Sequence, residues 1–394
     1  MKVFQINSVC GYGSTGKIAV DIYNVLAAAG EQCRIAFGRG AAPDGIDCVK
    51  IGCEIDVRLH GALSRFTDKS GFYSKKTTLR LIDQIKAFEP DIIHLHNIHG
   101  YYLNVKLLFD FLKEYNKPVV WTLHDCWAFT GHCAYYDAAG CTKWQRGCNN
   151  CPNLSSYPKS FKDNSRNNYL IKKATFCDVD NLTLVTPSNW LKGEVSHSFL
   201  SKYRCDVINN GVNTDIFKPC DSNIKTRLGI ENKKMLLGVA SVWEERKGLA
   251  DFISLAKKLT DDYAIVLVGL SDKQKKSLPE NIIGITRTSD QKELALVYSA
   301  ADFYINLTYE DNYPTTNLEA LCCGTPVITY DTGGSGEPVS NDCGAVVPCG
   351  DIDAVISALN MPKNTEKIAK IASNFDKSVC FEKYFELYKE ILNA

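Results

Sequence analysis

The sequence predicts an α/β protein built from two doubly wound, parallel-sheet domains that face each other across a cleft. Short runs of Val, Ile and Leu alternate with amphipathic patterns of helical period, which is typical of parallel strands covered on both faces. This series occurs twice, on either side of the turn-forming segment Asn209–Asn213. With 394 residues the chain can form two cores, each burying about 70% of the surface that the unfolded chain exposes.

Each half contains its own alternating series of strands and helices. In the first half, strands are predicted near 2–9, 33–38, 92–97, 118–124, 182–187 and 205–209, with helices near 16–29, 77–88, 103–115 and 190–200. In the second half, strands are predicted near 234–241, 263–269, 282–286, 303–308 and 326–330, with helices near 248–259, 290–301 and 316–323.

The predicted domains are residues 1–210 and 211–375. The last segment, 376–394, has the apolar spacing of an amphipathic helix, and we expect it to cross back to the first domain. A cysteine-rich insertion at about 125–160 interrupts the first domain without any helical or strand period. Long irregular loops in compact domains are usually functional or held by a staple.

Charge and composition exclude several classes of protein. Lys plus Arg equals Asp plus Glu at 45 each, so no overall basic field favours nucleic acid as a partner. The N-terminus lacks the apolar core of a signal peptide, and no apolar run is long enough to span a bilayer. We therefore expect a cytoplasmic protein with reduced thiols, which is compatible with attachment to the cytosolic face of a membrane.

A glycine-rich segment, Gly11 to Lys17, follows the first strand and opens the first helix. It fits the G-x-G-x-x-G pattern of dinucleotide-binding turns and nearly fits the phosphate-binding G-x-x-x-x-G-K-[ST] pattern. The second pattern fails at Ile18, which has no hydroxyl for Mg²⁺, and the first lacks an acidic residue after the second strand. Both patterns share a backbone, at Gly13 and Gly16, that can approach an anionic ligand closely at a helix N-terminus.

Histidines concentrate at the ends of two strands in the first domain. His94 and His96 point to the same side of one strand by the two-residue period, and His124 ends the next strand beside Asp125. Because these strand ends should line the cleft, His124 is a candidate catalytic residue, with Asp125 favouring a fixed imidazole. For His94 and His96, a packing role is the stronger interpretation.

The second domain carries two charged motifs at predicted strand ends. Arg246 and Lys247 precede a helix, and such adjacent cations suit a diphosphate. The segment 311–321 leads from a strand into a helix that Thr315 or Thr316 can cap, leaving backbone amides free for an anion. Asp311 then precedes the helix and Glu319 lies one turn inside it, at a spacing that suits a sugar with an attached ribose.

With these motifs the chain resembles the retaining glycosyltransferases of family 4, which have the GT-B fold. The resemblance rests on the glycine loop, the strand-end histidines, Lys247-Gly248 and the E-x7-E-like block from Asp311 to Glu319 that leads into Gly324-Thr325-Pro326-Val327-Ile328. It spans nearly the whole chain. The sequence Thr122-Leu123-His124-Asp125 and the insertion after it are similar to the bacterial enzymes that build colanic acid, capsule or O-antigen.

The resemblance assigns roles to the candidate residues. It implies that Glu319 binds the ribose hydroxyls, that Asp311 and Asn312 bind the hexose, and that His124 lies beside the reacting sugar. It further implies that the diphosphate is held by Arg246, Lys247 and the amides near Thr315 and Thr316, with Gly13 and Gly16 also on the donor. Asp311 and Glu319 would act with His124 as the catalytic set, without a metal.

Two positions depart from the family pattern. The first Glu of E-x7-E is Asp311, or Glu310 in a shifted register; Asp311 places Asn312-Tyr313-Pro314 where the family has Gly-Phe-Pro. The arginine that the family has about five residues before the lysine is replaced by Val242, and Arg246 takes over its charge.

The insertion contains Cys133, Cys141, Cys148 and Cys151, with one C-x-x-C pair. Four thiolates would suit a structural zinc ion that holds the loop together. Buried free thiols are a second interpretation, and redox chemistry or a disulfide is a third. No cofactor is expected for catalysis.

The resemblance implies transfer of a hexosyl unit from a nucleoside-diphosphate sugar, most often UDP-linked, to a saccharide or lipid-linked oligosaccharide in surface polysaccharide biosynthesis. The alternative function is a GT-B-like sugar-nucleotide epimerase that needs no acceptor.

Overall fold

The chain divides into two compact units. The computed structural model describes residues 1–362 and 364–393, and the first unit consists of Met1–Asn209 together with the chain from Phe381 onward. The second unit is Asn210–Cys380, so the division falls one residue before the predicted boundary.

The first unit alternates strands and helices along most of its length. Its elements are β1 (Lys2–Val9), α1 (Gly13–Ala28), β2 (Gln32–Arg39), β3 (Cys48–Lys50), α2 (Glu54–Thr67), α3 (Lys75–Phe88), β4 (Ile92–Leu95), α4 (Val105–Tyr115), β5 (Val119–Thr122), α5 (Ser165–Phe176), β6 (Leu182–Thr186), α6 (Asn189–Ser196) and β7 (Cys205–Val207).

All seven strands of this unit form one parallel sheet in the order β3-β2-β1-β4-β5-β6-β7. The order reverses between β1 and β4, because the chain winds first to one side of β1 and then to the other. Ligands of doubly wound sheets bind beyond the carboxyl ends of the strands at such a switch point. The glycine loop follows β1, His94 lies in β4, and His96 comes directly after that strand. Both sequence motifs therefore lie at this edge of the sheet.

The second unit repeats the scheme with six parallel strands in the order β10-β9-β8-β11-β12-β13. Its elements are α7 (Ile224–Leu228), β8 (Lys234–Val239), α8 (Leu249–Lys258), β9 (Tyr263–Val268), α9 (Asp272–Lys276), β10 (Ile282–Ile285), α10 (Gln291–Ala300), β11 (Phe303–Asn306), α11 (Thr315–Cys322), β12 (Val327–Tyr330), β13 (Gly344–Val347), α12 (Ile352–Ala358) and α13 (Thr365–Ala372).

Short apolar strands explain why both sheets are buried on two sides. Every residue of β11 and of β12 is buried, and two apolar clusters pack in the second unit, one around Leu318 and Leu321 and the other around Phe252 and Leu255. The two doubly wound parallel sheets predicted from the sequence are therefore confirmed.

The last helix, α14 (Lys377–Asn393), begins in the second unit and continues in the first. Its Tyr384 hydroxyl hydrogen-bonds the Thr122 hydroxyl at 3.0 Å, and its Tyr388 hydroxyl lies 2.6 Å from Nδ1 of His94. The helix thus completes the core of the first unit behind the strand-end histidines.

Several elements were not predicted from the sequence. Strands β3 and β13 are only three and four residues long, and α2 buries the polar side chains of His60 and Ser64 rather than an apolar stripe. The insertion holds two short 3-10 turns, Trp127–Phe129 and Lys143–Gln145. Within residues 1–362 and 364–393, no helix has the length and apolar character needed to cross a membrane.

Candidate functional site

In the second unit, the charged motifs lie at the carboxyl ends of two neighbouring strands. Strands β8 and β11 pair at the switch point of the sheet; Arg246 and Lys247 follow β8, and Asp311 and Asn312 follow β11. The topology therefore brings together residues that are 64 positions apart in sequence.

Lys247 and Asp311 form a direct ion pair in this cluster. Nζ of Lys247 donates to Oδ2 of Asp311 at 2.5 Å, and only 21% and 17% of the two side chains is exposed. Burial acts to raise the pKa of the Asp311 carboxyl, but the charges of Lys247 and Arg246 outweigh it and hold the pKa below its ordinary value. Arg246 is anchored by a 3.1 Å hydrogen bond from Nη1 to the Glu310 carbonyl.

Two glycines make this arrangement sterically feasible. Gly248 has φ +72°, and a Cβ there would lie 2.1 Å from the Leu307 carbonyl oxygen. Gly333 has φ +53°, and a Cβ there would lie 1.9 Å from the Asp311 carbonyl oxygen. A side chain at either position would push the Lys247 turn or the Asp311 loop away from the strand ends.

The helix after this loop, α11, begins differently from the prediction. Pro314 is its N-cap and no side chain caps it, so the expected cap by Thr315 or Thr316 is wrong. Both threonines lie inside the first turn, and the Thr316 hydroxyl bonds Tyr304 instead. Because proline cannot cap through its side chain, the start of α11 lacks a side-chain cap, and the Asn317 N–H donates to the Pro314 carbonyl at 3.1 Å. A helix start without a side-chain cap favours an anion.

Glu319 is buried one turn further along α11, 9% exposed. Its Oε2 accepts a 2.9 Å hydrogen bond from the hydroxyl of Tyr298, which fixes the carboxylate in one orientation. Asn312 is also buried, and its backbone N–H donates to Oδ1 of Asp311 at 2.9 Å. The second unit thus assembles Arg246, Lys247, Asp311, Asn312, Thr315, Thr316 and Glu319.

In the first unit, the glycine loop forms a tight turn from β1 into α1. Gly11 has φ +75°, Gly13 has φ +64°, and the backbone N–H of Gly11 donates to the Gly16 carbonyl at 3.0 Å. The first helical turn carries no acidic residue, and Tyr12 does not cap it through its side chain. Gly13 is exposed at the N-terminus of α1, whereas Gly16 is buried one turn inside the helix, where its carbonyl is the acceptor for Gly11. Both glycines belong to the first unit and the charged cluster belongs to the second, and contact of either glycine with a donor stays a prediction.

The strand-end histidines of this unit pack against one another. The rings of His94 and His96 are 4.0 Å apart between centroids, and His124 stacks on His96 at 5.4 Å. The expected support of His124 by Asp125 is wrong: Asp125 accepts from Nε2 of His99 at 2.8 Å and from the Trp127 backbone N–H at 2.9 Å. His124 is instead held by His96.

A chain of hydrogen bonds determines which nitrogen of His124 carries the proton. The Gln5 amide must direct its nitrogen to the Ala19 carbonyl, 3.0 Å away, so its oxygen faces Nε2 of His96 at 2.9 Å. Nε2 of His96 then bears hydrogen, and in the neutral ring its Nδ1 must accept from Nε2 of His124 at 3.1 Å. The lone pair of His124 therefore lies on Nδ1.

Burial makes the neutral state of these rings the stable one. Burial, together with the nearby His94 and His124, holds the pKa of His96 well below its ordinary value. Burial lowers the pKa of His124 to about 4, although Asp125 opposes the shift and His99 adds to it. At neutral pH the cluster presents hydrogen-bonding groups and no positive charge.

Gln5 is a residue that the sequence reasoning missed. The signal was present, because a fully buried glutamine interrupts the apolar run Val3–Ile6 of β1, and a buried amide requires partners. Tyr298, Tyr384 and Tyr388 were also missed, since their partners become visible only once the helices are packed.

The cysteine-rich insertion brings several thiols close together. A hydrogen bond from Cys133 lowers the pKa of Cys151 to about 7, aided by the backbone N–H of Asn153 and the charge of His132, against burial, which raises it. Sγ of Cys148 accepts from the Gly131 N–H at 3.2 Å. Across the described part of the chain, no three His, Cys, Asp or Glu side chains form a group that could hold a metal ion. The zinc ion stays a prediction, testable by elemental analysis.

Comparison with known proteins matches each unit to a family model. The family model "Glycosyltransferase Family 4" matches residues 15–216, and "Glycosyl transferases group 1" matches residues 221–375. The chain is 25% identical over 366 residues, 88% of its length and 87% of the relative, to the putative colanic acid biosynthesis glycosyl transferase WcaC of Escherichia coli K12.

A second relative and a solved structure complete the comparison. The N,N'-diacetylbacillosaminyl-diphospho-undecaprenol alpha-1,3-N-acetylgalactosaminyltransferase of Campylobacter jejuni is 24% identical, over 48% of this chain and 54% of its own. The crystal structure of Anabaena HepE in complex with UDP superposes with a TM-score of 0.68 at 13% identity, covering 99% of this chain and 100% of that one. The chain belongs to glycosyltransferase family 4 and has the GT-B fold.

Proposed function

We propose that this glycosyltransferase moves a hexosyl unit from a nucleoside-diphosphate sugar to a saccharide acceptor, with retention of configuration and without a catalytic metal. The observation that carries the proposal is the cluster of Arg246, Lys247 and the uncapped start of α11 at one switch point. Arg246 and Lys247, placed near the N-terminus of a helix, suit an anionic diphosphate.

The chemistry needs stabilisation of a leaving group. As the bond from the anomeric carbon to the diphosphate oxygen breaks, its electron pair stays on that oxygen and negative charge develops there. The acceptor hydroxyl forms the new bond on the same face, and its proton passes to the departing phosphate. Groups already oriented toward that charge lower the barrier, and one such donor typically contributes about 3 kcal/mol.

Carboxylates in the same cluster suit the neutral parts of the donor. Glu319, oriented by Tyr298, suits a pair of ribose hydroxyls, and Asp311 with Asn312 suits the hexose hydroxyls. Asp311 is already neutralised by Lys247, which argues against its acting as a covalent nucleophile. Retention by attack on the same face is what the family resemblance implies. UDP is the nucleotide we propose, since HepE binds UDP.

The acceptor we propose is a lipid-linked saccharide used in bacterial surface polysaccharide synthesis. The names of the Campylobacter and Escherichia relatives support it, since one acts on an undecaprenol-linked sugar and the other is assigned to colanic acid. The enzyme would then work at the cytosolic face of the membrane. His124, with its lone pair on Nδ1, is suited to accept a hydrogen bond from a sugar hydroxyl.

A panel of nucleotide sugars tests the proposal directly. We expect one UDP-sugar to raise the melting temperature, to be hydrolysed slowly without acceptor, and to be consumed with 1:1 release of UDP when an acceptor is present. Proton NMR of the first product should show the donor's anomeric configuration, and chelators should leave the rate unchanged. Conversion of the donor into an epimer, with no nucleotide released, would favour the epimerase instead.

A further inference from the structure

Helix α2 exposes its apolar side and buries its polar side. The helix buries only His60 and Ser64, where Nδ1 of His60 lies 2.8 Å from Oγ of Ser74. Ile55, Leu59 and Phe66 are 75%, 58% and 67% exposed on the opposite side. Amphipathic helices of globular proteins have the reverse arrangement. The exposed side of α2 is therefore suited to contact with an apolar partner.

The exposed apolar residues form one stripe. At about 100° per residue, Ile55, Leu59, Leu63 and Phe66 fall within an arc of about 80° along the 14-residue helix. Phe161 extends the stripe beyond the helix end: it is 73% exposed, its ring centroid lies 5.6 Å from that of Phe66, and its backbone N–H donates to the Arg65 carbonyl at 2.8 Å. We call these five residues the α2 face.

Cations border the α2 face. Arg58 and Arg65 lie on α2 beside the stripe, and Lys69, Lys159 and Lys162 are exposed in the segments next to Phe66 and Phe161. The acids of the first turn are engaged elsewhere, because Glu54 pairs with Lys50 at 3.1 Å and Asp56 accepts the Cys53 N–H at 2.9 Å. An apolar stripe with a basic border has the chemistry of a helix that lies in the headgroup region of an anionic bilayer.

We propose that the α2 face is a membrane-docking surface that inserts Ile55, Leu59, Leu63, Phe66 and Phe161 into an anionic lipid leaflet. Arg58 and Arg65 then lie at headgroup level, where each cation strengthens binding to anionic lipid. The inference deepens the proposed function, since it gives the enzyme a surface for approaching a lipid-linked acceptor. Its test uses neither donor nor acceptor, so it can fail independently of transferase activity.

The test is sedimentation of the full chain with vesicles of phosphatidylglycerol and phosphatidylcholine, compared with phosphatidylcholine alone. We expect binding to the anionic vesicles that weakens as salt is raised. The double variant Leu59→Gln/Phe66→Gln should lower the partition coefficient by about tenfold or more. The reason is that it removes the free energy gained when two large apolar side chains leave water for the lipid. The variant Arg58→Gln/Arg65→Gln should lose affinity for the anionic vesicles only.

Val379→Gln provides the matched control, because Val379 is also a half-exposed aliphatic residue on a helix, at 51%; it should bind vesicles like the wild type. All variants should keep the wild-type melting temperature, since the changed side chains are exposed. Absence of wild-type binding, or equal binding by the Leu59→Gln/Phe66→Gln variant, would overturn the proposal. The proposal would also be overturned if analytical ultracentrifugation showed a wild-type dimer that the Leu59→Gln/Phe66→Gln variant does not form. A second copy of the chain would then cover the α2 face.

Discussion

The two units place chemically opposite groups at equivalent points of their sheets. In the second unit, the switch point between β8 and β11 carries a partly buried ion pair, a second cation and a helix start without a side-chain cap. In the first, the switch point between β1 and β4 carries Gln5 and a set of neutral histidines. The fold therefore fixes where a ligand can bind, whereas the side chains decide what kind of ligand it is.

This difference suggests a division of labour. Fixed charges stabilise charge that develops in a reaction, so under the proposed function the second unit would stabilise the leaving diphosphate. Neutral hydrogen-bonding rings, held in one protonation state, are equipped to orient hydroxyl groups. Changes in the two clusters should then have different signatures, and the following experiments separate them.

Removing Lys247 should have the largest effect. We expect Lys247→Ala to lower turnover by about a hundredfold, because it removes one preset cation from the leaving group. Turnover is measured from UDP release with a saturating donor. Lys258→Ala is the matched control: Lys258 also pairs with an aspartate of the second unit, at 2.6 Å, but is 48% exposed, and its loss should leave turnover unchanged. Near-normal transfer by Lys247→Ala would mean that Lys247 does not stabilise the leaving diphosphate.

Changing Gln5 should have a smaller effect of another kind. In Gln5→Leu, Nε2 of His96 loses its acceptor, so His96 can reverse its tautomer and force the proton of His124 onto Nδ1. We expect transfer to fall about tenfold, the worth of one hydrogen bond to a sugar hydroxyl. Nitrogen NMR of the imidazoles gives an independent readout, with Nε2–H of His124 dominant in the wild type and reduced in the variant.

Gln5→Glu distinguishes the tautomer from a packing defect, since it keeps the shape of the side chain. A carboxylate there would favour protonated His96, which donates from both nitrogens and again leaves the proton of His124 on Nδ1. An unchanged His124 tautomer in both variants would contradict the positioning role of Gln5, whatever the activity shows.

The sequence predicted the charged cluster better than the neutral one for a physical reason. Arg246, Lys247 and Asp311 lie in loops at strand ends, where charged residues stand out from the apolar runs beside them. The partner of His124 could not be read in the same way, because Asp125 is adjacent in sequence while His96 is adjacent only through the pairing of β4 with β5.

The alternation of strands and helices was predictable for a similar reason, since buried parallel strands are continuous apolar runs. Elements that depart from this rule were missed: β3 is too short to show a period, and α2 faces its apolar residues outward. The predicted threonine cap of α11 was wrong because Pro314, with its extended backbone, occupies the N-cap position. Both threonines therefore lie inside the helix.

Lowering the pH should destabilise the first unit, with its neutral histidines, more than the second unit, with its ion pair. Burial lowers the pKa of His124 to about 4, whereas an unfolded histidine titrates near 6.5. Between these values the unfolded chain binds more protons, so stabilisation of the first unit is complete above about pH 6.5 and declines as the pH falls toward 4. The pKa of Asp311 is lowered, so its ion pair keeps its charge over this range.

Hydrogen exchange measured at pH 7 and pH 5, corrected for the intrinsic rate, checks this prediction. We expect peptides from residues 92–124 to lose protection at pH 5 while peptides from 303–322 keep theirs. His197→Gln is the control, because His197 is exposed and its loss should not alter this difference. Equal changes in both sets of peptides would mean that buried neutral histidines do not set the acid sensitivity of the first unit, and the contrast between the clusters would then reduce to their charges alone.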